Sequence, residues 1–175
     1  MTTEINADNG SKGKVTVYCA GGAGLNVGQY FEKHRGNNEP AFAEINIVYI
    51  DTSRSNLRAN ISADNCYMLK GMDGSGKMRS ENHEEIAVHI RAILQQFKPA
   101  DLNIVLSSAA GGSGSVIAPL LTSELLKSEV PTVVISIGSA DTKTDIENTL
   151  DTIKSYEAIA RMRKAPIVMS YVQNS

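Results

Sequence analysis

Apolar and polar residues alternate in blocks along this chain, and the blocks have two different periods. Short, almost unbroken apolar runs rich in β-branched residues occur at KVTVYCA (14–20), EINIVYID (44–51), CYML (66–69), LNIVLSS (102–108), TVVISIG (132–138) and APIVMSYV (165–172). Runs of this length predict buried strands. Between them, apolar residues fall at helical spacing. Ile86, Ile90, Ile93, Leu94 and Phe97 share one face of a helix predicted over 81–97, which Pro99 ends. Further helices are predicted from about Asn26 to His34, over 115–127 and over 143–162. The last carries Ile146, Leu150 and Ile153 along one face. Pro119 is tolerable in the 115–127 helix because it lies close to the first turn.

Apolar strands that alternate with amphipathic helices predict an α/β fold. The expected form has three layers, a mostly parallel, Rossmann-like sheet with helices on both faces. Ligands of such sheets sit outside the carboxyl ends of the strands. The loops that follow the strands are therefore where function should lie.

Composition narrows the partners. A length of 175 residues fits one domain, expected over 14–175 behind a polar, flexible arm at 1–13. Hydrophobic residues make up 42% and charged residues 21%, enough for a core. A net charge of −2 provides no electrostatic case for nucleic acid. No apolar run approaches the roughly 18 residues of a membrane span, and the polar N-terminus lacks a signal peptide's apolar stretch. Cys19 and Cys66 lie in apolar runs without metal-ligand spacing, which suits buried reduced thiols in a cytosol-type compartment.

The loops after the strands read GGAGLN (21–26), DTSRSN (51–56), KGMDGSGKMRSEN (70–82), AAGGSGS (109–115) and GSADTKTD (138–145). Glycines let a backbone approach a ligand, and amides at a helix N-terminus attract anions. For any single loop a plain turn explains the glycines as well. AAGGSGS is the exception, because a turn does not need so long a run without a bulky side chain. It suits a backbone wrapped around a phosphate chain, with Ser113 and Ser115 as extra donors. GMDGSGKM (71–78) reads Gly-x-x-x-x-Gly-Lys but has Met78 where a Walker A loop needs a hydroxyl. A thioether is a poor ligand for a hard cation. GGAGLNVG is one residue too long for a dinucleotide fingerprint, although Asp51 at the end of the second strand would suit a ribose. A dinucleotide-binding enzyme thus stays open as a lesser alternative. HEEIAVH (83–89) is not a metalloprotease signature, since Ala87 stands where the second His is required. No Ser, His and Asp arrangement suggests a nucleophile.

Taken in order, these loops resemble those of the tubulin/FtsZ superfamily, closest to the divergent tubulin-like proteins of large bacteriophages. The family's G-G-G-[ST]-G-[ST]-G run corresponds to AGGSGS, with Ala110 for the first glycine and Ser115 at its end. GGAGLN matches the first family loop, YIDTSRSN the acid-terminated second strand, and GMDGSGKM the loop at the terminal phosphate. The resemblance implies GTP or GDP, with Mg²⁺ as the accompanying cation. It implies contacts from Gly21, Gly22, Ala23, Gly24, Asn26, Asp51, Gly74, Lys77, Ala110, Gly111, Gly112, Ser113, Gly114 and Ser115. Asp145 and Glu147 are the candidate ribose acids. The family's catalytic acids lie in N-x-D-x-x-[DE], on a later loop, and these 175 residues contain no such run. The second domain of the family has no counterpart here either.

The resemblance therefore implies nucleotide binding with little or no hydrolysis and no catalytic residue of its own. The expected use is self-association or docking as a subunit of a larger assembly, with neither nucleic acid nor membrane as partner. For a phage-encoded chain the expected place is the host cytoplasm or the virion. The alternative is a phage structural subunit, in the virion or an assembly, whose nucleotide site has decayed. The Ala109–Ala110 start of the signature loop motivates it. Lys77→Ala tests whether GMDGSGKM serves the terminal phosphate. By calorimetric titration it should weaken triphosphate binding more than diphosphate binding, and equal losses would make the stretch an ordinary loop.

Overall fold

Every predicted strand forms, and all join one parallel sheet in the computed structural model, which describes residues 12–35, 43–57, 61–69 and 83–174. The elements are β1 (Gly13–Ala20), α1 (Gly21–Arg35), β2 (Ala43–Asp51), β3 (Cys66–Met68), α2 (His83–Gln96), β4 (Leu102–Ser108), α3 (Gly114–Lys127), β5 (Thr132–Ser139), α4 (Lys143–Arg163) and β6 (Val168–Asn174). Single 3₁₀ turns occupy Arg54–Asn56 and Ala63–Asn65 between β2 and β3. The six strands run in the order β3-β2-β1-β4-β5-β6, every neighbouring pair parallel. Val17 pairs with Ile47 on one side and with Ile104 on the other, so β1 is central and flanked by β-branched residues.

One face holds the larger core. Tyr18, Val48, Ile50 and Val105 of the sheet meet Ile86, Ile90 and Ile93 of α2 and Ile117, Leu121 and Leu125 of α3, all with no exposed surface. Burying each such Leu or Ile contributes about 1.5–3 kcal/mol. The Tyr18 hydroxyl carried into this layer donates to the carbonyl of Phe97 at 2.9 Å. Burial pushes the Tyr18 pKa up. On the opposite face α1 packs Leu25 against Cys19, Ile47, Tyr49 and Leu106. Both cysteines are free; Cys19 is buried, whereas Cys66 is half-buried. Burial, with the nearby Glu32 charge, pushes the Cys19 thiol up to about 12.

Both faces of a parallel sheet normally carry helices. Among the described residues, α1 covers only part of its face. Beside it, Ile104, Ile135, Ile137 and Val172, with Val27 and Phe31 of α1, line an apolar groove of about 540 Å³.

Three sequence expectations shift. First, α1 starts at Gly21, not near Asn26, because β1 passes straight into helix through Gly21 at φ 71°. GGAGLN is thus the opening of the helix and not a loop ahead of it. Second, β6 starts at Val168 and runs to Asn174. Lys164 ends α4 with φ 53°, and the chain needs the residues after it to turn back before it can pair with β5. Third, the apolar stripe of α4 faces outward: Ile146, Leu150 and Ile153 are 43%, 51% and 38% exposed. The buried side carries Thr149, Thr152, Tyr156 and Ile159. The first half of this buried side meets the turn after β4, whose carbonyls take donors from Asn148 and Thr152. Pro119 sits in the second turn of α3, buried, where it removes the amide that Ser115 O would otherwise accept.

This arrangement predicts unequal costs for two residues that helical periodicity treats alike. Ile90→Ala should lose about 2–5 kcal/mol of stability in chemical denaturation. Leu150→Ala should change it by no more than about 0.5 kcal/mol.

Candidate anion-binding crevice

The strand order reverses direction between β1 and β4, so α1 leaves the sheet on one face and α3 on the other. That switch point is where a parallel sheet opens a crevice at its carboxyl edge. The two helices that leave it start almost in contact. A Cβ on Gly21 would lie 2.6 Å from the amide nitrogen of Gly114, and one on Gly114 would lie 2.7 Å from the carbonyl oxygen of Ala20. No side chain fits at either position. Gly24 has another reason: a Cβ there would lie 2.6 Å from Leu106 O, so its absence lets α1 lie close on β4.

The turn between β4 and α3 is folded by its own polar atoms. The Ser108 hydroxyl oxygen accepts the amides of Ala110 and Gly111 at 3.2 and 3.1 Å. The Ala109 amide donates to Ile137 O. From α4, Thr152 Oγ1 donates to Ala109 O at 2.8 Å, and Asn148 Nδ2 donates to Ala110 O at 3.3 Å. Ser113 occupies the cap position of α3 in helical geometry, without a side-chain cap bond. Among the described residues, no acceptor takes the amides of Gly112, Ser113 or Gly114. With the leading amides of α1 close by, two helix N-termini present partial positive charge to one place.

Across from that turn stands Asp51, the last residue of β2 and only 2% exposed. Its Oδ1 accepts the Thr52 amide at 2.7 Å and the Ser113 hydroxyl at 2.8 Å. Its Oδ2 accepts Asn56 Nδ2 at 3.0 Å. The Asn56 side chain in turn lies over Gly22, where a Cβ would come within 2.9 Å of Nδ2. Gln29 of α1 holds the same segment by donating to Asn56 O at 3.1 Å.

The crevice thus gathers Gly21, Gly22, Ala23 and Gly24 of α1, Asp51, and the run from Ala110 to Ser115. The hydroxyls of Ser113 and Ser115, expected as phosphate donors, point to protein acceptors, Asp51 and Gly112 O. Asn26 is exposed on the second turn of α1. Asp145 lies in the first turn of α4, its amide capped by Thr142 Oγ1 at 3.1 Å. Glu147 is exposed and pairs with Lys143 at 3.6 Å. Gly74 and Lys77 lie outside the described residues. Asn56, Asn148 and Thr152 were not anticipated. Asn148 and Thr152 do leave a signal, polar residues four apart on a helix whose apolar stripe lies elsewhere. Among the described residues no group of His, Cys, Asp and Glu could hold a metal ion, and no helix is long and apolar enough to cross a membrane.

Known proteins share this arrangement. Residues 14–174 match the Tubulin/FtsZ family, GTPase domain. A phage tubulin-like protein of Pseudomonas phage phiKZ is 33% identical over 176 residues, spanning 94% of this chain and 51% of that protein. The solved protofilament of TubZ from bacteriophage PhiKZ superposes with a TM-score of 0.79 at 32% identity, covering 91% of this chain and 49% of that one. The structure of the phage tubulin PhuZ with GDP gives a TM-score of 0.78 at 30% identity, covering 92% and 48%. The chain spans about half the length of these relatives. With the order of its strands, the crevice at their switch point and this match along nearly its whole length, the chain belongs to the tubulin/FtsZ family.

Proposed function

We propose that this chain binds a guanine nucleotide in the crevice between α1 and α3 and uses the bound state to associate with further subunits. The observation that carries the reading is the contact of Gly21 with Gly114, which aims the leading amides of α1 and α3 at one point. In this reading the amides of Gly112, Ser113 and Gly114 take phosphate oxygens and Asp145 serves the ribose. Lys77 or Mg²⁺ offsets the phosphate charge. The GDP named for the phage tubulin PhuZ, 30% identical to this chain, supports the choice of nucleotide. Little hydrolysis by these 175 residues alone is part of the proposal, since the family's catalytic acids lie on a later loop than they span.

A second observation favours assembly. The groove between α1 and the strands from β2 to β6 exposes Val172 at 49% and is lined mostly by apolar side chains. An apolar surface of this kind marks a protein contact. The relatives named for a protofilament point the same way. In the host cytoplasm such a domain would act as one subunit among several.

Two measurements test this. Saturating GDP or GTP with Mg²⁺ should raise the melting temperature, since ligand at a hundred times its Kd adds about 2.7 kcal/mol. Absence of any shift at millimolar nucleotide would overturn the nucleotide reading. Val172→Lys should lower the oligomeric state in sedimentation velocity while leaving the GDP shift intact. An unchanged oligomer would remove the groove as the contact.

A further inference from the structure

Resting on the nucleotide reading above, we propose that Asp51 is a positioning residue, which touches no ligand and sets the phosphate turn through the hydroxyl of Ser113. An acid at the end of the second strand invites a different reading, as a direct contact to a ribose or a cation. The geometry points away from that. Asp51 is 2% exposed, and both of its carboxylate oxygens are engaged within the protein. Among the described residues none of the ion pairs includes it. A buried carboxylate without a cation is held by its hydrogen bonds, and here there are three donors, Thr52 and Asn56 just after β2 and Ser113 at the entry of α3.

What those donors are attached to defines the role. Ser113 stands at the entry of α3, where a serine commonly turns its oxygen back to cap the helix. It does not do so here; its hydroxyl is drawn to Asp51 at 2.8 Å instead. The bond ties the entry of α3 to the end of β2. The other oxygen of Asp51 holds Asn56 over Gly22, the second residue of α1. One carboxylate therefore sets the spacing between the two helix N-termini that form the crevice. It also fixes the Ser113 proton on Asp51, so toward a phosphate Ser113 contributes its backbone amide rather than its hydroxyl.

The test compares Asp51→Ala, Asp51→Asn, Ser113→Ala and the double variant Asp51→Ala/Ser113→Ala in the full chain. Without nucleotide, hydrogen exchange of the amides over 109–117 should quicken in both Asp51→Ala and Ser113→Ala while the rest of the sheet keeps its protection. Unchanged exchange in that segment, or a rise spread across the whole sheet, would overturn the proposal. With GDP as the probe, Asp51→Ala should weaken binding about tenfold, the scale of a lost hydrogen bond to a charged group. Adding it to Ser113→Ala should cost less than about threefold more. Asp51→Asn should recover most of the affinity, since its amide oxygen still accepts from Thr52 and Ser113 while Asn56 turns its own oxygen to the new amide. Losses that simply add would mean that Asp51 meets the nucleotide itself, against the proposal. If the unaltered chain binds no GDP, the nucleotide reading falls, while the exchange comparison still decides whether Asp51 holds the turn.

Discussion

The close approach of Gly21 and Gly114 is the constraint on which the rest of the site depends. β1 and β4 are neighbours in the sheet, and each passes into a helix that leaves on the opposite face. For both helices to start at the sheet edge, their first residues must share space that a single Cβ would fill. Glycine at both positions allows the approach, and a positive φ at Gly21 makes the sharp turn out of β1. Once the helices start there, the amides that each necessarily leaves unpaired face one crevice. In the proposed reading, the attraction for an anion follows from sheet topology and two missing side chains, and needs no lysine or arginine among the described residues.

Polar side chains then hold that geometry from three sides. Asp51 reaches the α3 entry through Ser113 and the α1 entry through Asn56. Thr152 and Asn148 of α4 hold the carbonyls of Ala109 and Ala110. This explains why α4 is turned with its polar side inward. Seating Ile146, Leu150 and Ile153 against that turn would have buried its carbonyls without donors, at about 1–3 kcal/mol for each carbonyl left unmet. The stripe that looks most like a core face in the sequence is therefore the outer face of the helix.

The uneven covering of the sheet supports the proposed assembly. Among the described residues, α2, α3 and α4 lie on one face, and on the other α1 is the one long helix, beside an apolar groove. A parallel sheet open on one side keeps apolar surface in water, which association would remove. The relatives, about twice this length, share nearly the whole of the domain described here.

By itself the sequence determined the strands, the parallel class of the sheet, the core face of α2 and the glycine-rich edge where a ligand would sit. These follow from local periods and from residues that only certain backbones accept, so a single chain displays them. The ordered set of loops was enough to place the family. The tertiary structure decided what each residue does there. Which glycine lines the crevice and which seats a helix on a strand depends on distances across the sheet, as at Gly24 and Leu106 O. Whether Ser113 serves a phosphate or a carboxylate depends on Asp51, 62 residues away in sequence. Which side of α4 is buried depends on the carbonyls beneath it. Each of these outcomes is a contact between segments remote in the chain, and no pattern along one segment carries it.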